Sequence, residues 1–207
     1  MRRILKDYDS VSLNPADLTG RLNFADVFGR DGPVHVEVGA GKGTFLLSQA
    51  RRDSLANFVG IERARKYYRY AVDRIGRWGL ANVRIIRTDA ASFIAEHVAD
   101  ESVDCFHIYF PDPWPKKRHH KRRFVSPANT EQLLRCLKRG GQIRIATDHA
   151  EYFEAIGQVI GSRGDKLEQI EFFPAVGAQP GEITGTNYER KYIKDKKQIL
   201  TIAAMKV

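Results

Sequence analysis

The tetrapeptide PDPW at 111–114 sets one carboxylate, Asp112, and one indole, Trp114, among prolines 111, 113 and 115. Each proline fixes its own φ and pushes the residue before it toward extended conformations. Asp112 and Trp114 are therefore expected on a stiff segment, where little freedom is lost in bringing a group to within reach of a reactive carbon. The indole offers a face on which a nucleobase can stack, worth about 1–3 kcal/mol in single-strand binders, or a surface that props the loop against the domain. Directly behind lie Lys116, Lys117, Arg118, Lys121, Arg122 and Arg123, a cationic run suited to phosphates.

A second set of acids precedes this one. Glu37 opens EVGAGKG, Glu62 ends VGIE, and Asp89 follows VRIIRT. Gly39, Gly41 and Gly43 allow a tight turn and close approach of a ligand to the backbone. The spacing is close to a dinucleotide fingerprint, but Thr44 stands where the third glycine is needed. Glu37 is unfavourable beside a pyrophosphate and favourable beside a cation, and S-adenosylmethionine carries a sulfonium and an amine. Glu62, about twenty residues past the glycines, is placed to accept from ribose hydroxyls. Asp89 is suited equally to an adenine edge and to capping a helix.

These acids need strands to end on. Apolar stretches at 34–38, 58–61, 83–87, 103–109, 142–146, 167–172 and 198–205 read as strands, most of them separated by helical patterns. Alternation of this kind predicts an α/β fold: a doubly wound, mostly parallel, seven-stranded sheet with helices on both faces, Rossmann-like. Tyr68, Ala71, Val72 and Ile75 form one apolar stripe, leaving Lys66, Arg69, Asp73 and Arg77 to face solvent. Ser126-Pro127 starts a helix that Gly140-Gly141 is expected to close. His107, inside a strand, is expected to be a satisfied core histidine. Residues 31–207 form one expected domain, with 1–30 a partly mobile segment carrying a helix around 18–28.

Composition narrows the partners. Thirty-four Lys and Arg against 25 Asp and Glu give +9, which favours an anionic partner, nucleic acid ahead of a membrane surface. No apolar run approaches the roughly 18 residues of a membrane helix. Cys105 and Cys136 are isolated and His119 and His120 lack cysteine neighbours, so reduced thiols, a cytoplasmic location and no metal are expected. Oligomeric state is not legible.

EVGAGKG, GIER, TDA and above all FPDPWPKKRHHKRR resemble the bacterial tRNA (guanine-N7-)-methyltransferase family, from about Val34 to Tyr192. The resemblance implies a class I S-adenosylmethionine-dependent fold acting on the variable-loop guanosine of tRNA. It places Glu37, Gly39, Glu62, Asp89 and Asp112 at the cofactor, with Asp112 catalytic. It assigns Lys116, Asp148, Thr186, Asn187, Tyr188 and Glu189 to substrate binding, with Asp148 also expected to cap a helix. Asn187 and Tyr188 depart from the lysine and phenylalanine frequent in the family, and an amide cannot supply a lysine's charge. Guanine N7 carries an accessible lone pair and loses no proton on methylation, so Asp112 is expected to orient the base or offset its charge, and no general base is required. The residues alone leave open a methyltransferase on another RNA or a small molecule, or an RNA-binding protein with an inactive cofactor site.

Overall fold

The computed structural model describes residues 4–207. Eight strands form one sheet: β1 (Ser12–Leu13), β2 (Val34–Val38), β3 (Asn57–Ile61), β4 (Val83–Ile86), β5 (Val103–Tyr109), β6 (Leu137–Thr147), β7 (Leu167–Ile170) and β8 (Leu200–Lys206). Their order is β1-β4-β3-β2-β5-β6-β8-β7, and β8 alone runs antiparallel to its neighbours. Seven of the eight correspond to the expected strands; the addition is β1. It forms because Ile85 N–H donates to Val11 O at 2.7 Å, extending the sheet by one short edge.

From β2 the chain winds outward through β3 and β4, then returns to lay β5 against the other side of β2. That reversal opens a crevice beyond the carboxyl ends of β2 and β5, the usual ligand position in doubly wound sheets. Strand alternation divides the core into two. Val34, Val36, Val38, Phe106 and Ile108 join one cluster with helices α4 (Ala90–His97), α5 (Pro127–Cys136) and α6 (Ala150–Gly161). Phe45, Leu46, Val72 and Ile75, from α2 (Thr44–Ala50) and α3 (Arg65–Gly76), pack on Phe58 and Ile85 in the other. Of β2 and β5, His35, Glu37, Cys105, His107 and Tyr109 alternate onto this second face.

Three expectations are corrected. Helix α5 ends at Cys136, and Gly140-Gly141 lie inside β6, where the register against β5 shifts and Gly140 takes φ +78°. Asp73 is buried, because Lys6 N–H donates to its Oδ1 at 3.0 Å and Arg77 pairs with it one turn on at 2.7 Å. The helix expected around 18–28 is confined to α1 (Phe24–Phe28), capped by the Asn23 side chain on Ala25 N–H. Around it, residues 6–28 lie along the domain: Tyr8 sits on Gly76, where any Cβ would meet its ring at 2.2 Å, and Val11, Phe24 and Phe28 are buried. Among the described residues no helix is long and apolar enough to cross a membrane.

Candidate active site

The loop after β2 turns on three left-handed glycines, Gly39 at φ +78°, Gly41 at +55° and Gly43 at +67°. Gly43 caps the start of α2, and a Cβ there would press on Ala71 Cβ and Ile75 Cδ1, each 3.0 Å away. Glu62 fastens the loop. Its Oε2 accepts from Gly41 N–H at 2.8 Å and its Oε1 from Ala64 N–H at 2.7 Å, tying the loop to the start of α3.

Glu37 stands beneath this loop, 4% exposed, and its Oε2 has no hydrogen-bond partner among the described residues. Burial, reinforced by the charge of Glu62, holds its carboxyl well above the usual carboxylate range. A buried, unpaired acid oxygen is costly unless a cation or donor meets it. It lines a cleft of about 250 Å³ together with Gly39, Tyr67, Tyr109, Asn187 and Tyr188.

The far wall of that cleft comes from a distant part of the chain. Residues 174–185 fold over α2, held by Ser48 Oγ donating to Gly177 O at 2.7 Å and Arg52 donating to Val176 O at 2.8 Å. Gly177 has no room for a side chain, since a Cβ would lie 2.1 Å from Ser48 Oγ. Helix α7 (Asn187–Lys194) then starts with Thr186 as its cap, accepting from Glu189 N–H at 3.1 Å. Glu189 is fully buried and accepts from the backbone N–H groups of Ile183, Thr184 and Gly185. Of the four positions expected to touch substrate here, Thr186 and Glu189 thus fix the loop, while Thr186, Asn187 and Tyr188 line the cleft. Asn187 Nδ2–H donates to Thr44 Oγ1 at 2.7 Å, closing the cleft across its mouth.

The PDPW segment leaves β5 beside this wall. Its prolines do not hold it extended: Phe110 and Trp114, each followed by proline, adopt φ +52° and +43°. Such left-handed residues cost about 1–3 kcal/mol each and persist only where the surroundings over-determine them. Arg123 supplies much of that constraint. It is buried, donates from Nε to Pro113 O at 2.8 Å, and pairs with both oxygens of Glu151 at 3.0 and 2.6 Å. Its guanidinium, grouped in the sequence with the phosphate-facing cations, is turned inward and occupied. Asp112 is exposed. The Tyr188 hydroxyl is raised first by burial, then by the nearby charges of Tyr67, Asp112 and Glu62.

Lys116, Lys117, Arg118 and Lys121 are exposed around a 3-10 turn, Lys117–Arg122. Trp114 is flanked by that turn, with the Arg122 guanidinium 5.0 Å over its ring and the His119 ring edge-on at 5.8 Å. Of the expected acids Glu37 lines the cleft, while Glu62, Asp89, Asp112 and Asp148 lie outside its lining. Asp89 takes the capping role, accepting from Ala91 and Ser92 N–H at the start of α4, and lies 3.6 Å from Arg63. Asp148, expected to cap a helix, instead pairs with Lys197 at 2.6 Å; the cap of α6 is His149, whose Nδ1 accepts from Tyr152 N–H. Sequence reasoning missed Thr44, Tyr67, Tyr109 and the Arg123 clamp. Two signals were available: TNYE at 186–189 has the spacing of a capping box, and Tyr109 follows His107 by the strand period.

A family described as putative methyltransferase matches residues 31–202. A tRNA (guanine-N(7)-)-methyltransferase of Rhodopirellula baltica is 39% identical over 78% of this chain and 61% of its own length. One from Streptococcus pneumoniae is 32% identical over 92% of this chain and 88% of its own. The chain thus spans about three fifths of the Rhodopirellula relative and most of the streptococcal one. Among solved structures, a SAM-dependent methyltransferase from Aquifex aeolicus superposes with a TM-score of 0.58 at 16% identity, covering 89% of this chain and 88% of that one. At that identity the likeness is one of fold.

Proposed function

Because this chain belongs to the tRNA (guanine-N7-)-methyltransferase family, we propose that it transfers a methyl group to N7 of the variable-loop guanosine of tRNA. The observation that carries the reading is the buried Oε2 of Glu37, without a hydrogen-bond partner among the described residues, in a cleft also lined by Tyr109, from which the chain runs through PDPW into a cationic turn. S-adenosylmethionine, when bound, supplies the electrophilic methyl group. The cleft suits it: Glu37 offers a negative charge for a cation, and the glycine loop lets a nucleoside approach the backbone. Glu62 has committed one lone pair of each oxygen to Gly41 and Ala64, which leaves further acceptor capacity for ribose hydroxyls.

Asp112 is the catalytic residue in this reading. It accepts from the N–H donors of guanine and offsets the positive charge that alkylation places on the purine, with N7 needing no deprotonation. The strained backbone at Phe110 and Trp114, with Arg123 clamped on Pro113 O, restricts the backbone that carries Asp112 before substrate arrives. Lys116, Lys117, Arg118 and Lys121 take the phosphates, and Arg122 braces Trp114. Labelled methyl transfer to unmodified tRNA, followed by nucleoside mapping, tests the proposal. Label should appear as 7-methylguanosine in the variable loop and vanish when that guanosine is replaced by adenosine. Label elsewhere in the tRNA, or none, overturns it.

A further inference from the structure

Among the described residues one cluster of metal-ligating side chains lies outside the active site. His35 on β2 is the register partner of Cys105 on β5, with His107 two residues further along the same face. Their ligand atoms all lie within 4.8 Å of one another, and His35 Nδ1 and His107 Nε2 share a hydrogen bond of 3.0 Å. The three side chains open onto a cavity of about 450 Å³ that also borders Gln49, Asp104 and Arg144. Central strands of a parallel sheet are ordinarily apolar on both faces, so a His-Cys-His cluster between two of them needs a reason.

We propose that His35 Nδ1, Cys105 Sγ and His107 Nε2 form a zinc site on this face of the sheet, with a fourth position open to the cavity for water. Two imidazoles and a thiolate are a donor set zinc accepts, at about 2.0–2.1 Å for nitrogen and about 2.3 Å for sulfur. Tetrahedral angles then separate the two nitrogens by about 3.4 Å, a small opening of the present hydrogen bond. The surroundings supply the support that ligating histidines require. Tyr109 Oη lies 2.8 Å from His107 Nδ1, so a proton on Nδ1 is accepted there and Nε2 is freed for the metal. Burial lowers the affinity of both imidazoles for an additional proton, so neither must shed a charge first.

The thiol is the group that changes. Burial pushes Cys105 up to about 12, so it is protonated until a metal replaces its proton. The balance is one zinc ion taken up and one proton released to buffer; the imidazoles exchange tautomers without losing protons. Charged groups of both signs surround the cluster: Arg139 lines the same cavity, and Asp104 pairs with Lys138 at 2.7 Å. Asp104 and Asp53 act on His35 from the negative side. Arg144, which donates to Phe173 O and stacks on Phe172, lines the same cavity, and its charge favours a thiolate and opposes the metal. A zinc–thiolate unit therefore meets Arg144 and Arg139 on one side and Asp53 and the Lys138-paired Asp104 on the other, a local balance that does not exclude it.

The test uses the full chain, stripped with a chelator, dialysed against zinc chloride, freed of excess and analysed for metal by mass spectrometry. About one zinc per chain should remain, with about one proton released per zinc in calorimetry repeated in two buffers. Cobalt(II) in its place should give a sulfur-to-metal charge-transfer band. Cys105→Ser should abolish the band and cut retained zinc at least tenfold, His35→Gln should do the same to retained zinc, and Cys136→Ser should change neither. Circular dichroism establishes which variants are folded; if Cys105→Ser is not, His35→Gln decides. Folded wild-type protein that retains no zinc, or a folded His35→Gln that retains as much as wild type, overturns the site.

Discussion

Replacing Glu37 with glutamine separates what this residue costs the fold from what it contributes to the cleft. In the free protein the carboxyl is buried, lacks a partner on Oε2 and faces the charge of Glu62. Its folded form holds a proton more tightly than the unfolded chain does. Its stability contribution is therefore greatest at low pH and is lost as pH rises past the ordinary glutamate range through the raised folded value. A buried polar group left unpaired costs about 1–3 kcal/mol, and more when charged. Glu37→Gln should accordingly gain about 2 kcal/mol at neutral pH, raising Tm by about 4–8 °C for a chain of this size, with the gain shrinking toward pH 4. The same change removes the negative charge facing a sulfonium or amine. Removing one charge-assisted hydrogen bond, about 1.5–3 kcal/mol, weakens S-adenosylmethionine binding roughly 10- to 150-fold. Thermal unfolding between pH 4 and 8, with and without the cofactor, reads both effects. A Glu37→Gln protein that is less stable at neutral pH, or that binds the cofactor as tightly as wild type, refutes the reasoning.

Other perturbations bear on separate parts of the site. Asp112→Ala should lower methyl transfer about 100-fold or more while leaving tRNA affinity, measured by filter binding, within a few-fold. Arg123→Ala should reduce turnover and lower Tm, because it frees the PDPW backbone and leaves Glu151 without its partner, yet leave the salt dependence of tRNA binding unchanged. Changing Lys116, Lys117, Arg118 and Lys121 together to alanine should flatten the log–log salt slope of binding by about 0.7–0.9 for each phosphate no longer neutralised. Glu189→Ala should destabilise the cleft wall by about 1–3 kcal/mol or more and expose residues 174–186 to faster hydrogen exchange, since three backbone N–H groups lose their acceptor.

The sheet was legible because its signal is regular: each of the seven apolar runs read as a strand did become one. The placing of the acids was legible for the same reason, since strand order alone sets Glu37 near the carboxyl end of β2 and Glu62 just past that of the neighbouring β3. What the sequence concealed are roles set by partners far along the chain. Asp73 sits on the polar side of its helix, and a backbone group sixty-seven residues away is among the partners that accompany its burial. Arg123 reads as one more cation in a basic run until Glu151 and Pro113 are seen to hold it. Glu189 and Thr186 belong to a stretch associated with substrate, yet their hydrogen bonds go to the loop itself. The left-handed backbone at Phe110 and Trp114 contradicts the local preference of residues before proline, as tertiary constraint overrides it at a strained site.

The central claim is that the acid-floored cleft between the glycine loop and α7 receives the methyl donor, with Asp112 on its open side. A structure of the protein crystallised with S-adenosylmethionine measures this directly. The predicted result is the donor's cationic end against Glu37, its ribose at Glu62 and its methyl group facing the side on which Asp112 stands. Density for the donor anywhere else, the cavity beside His35 included, contradicts it.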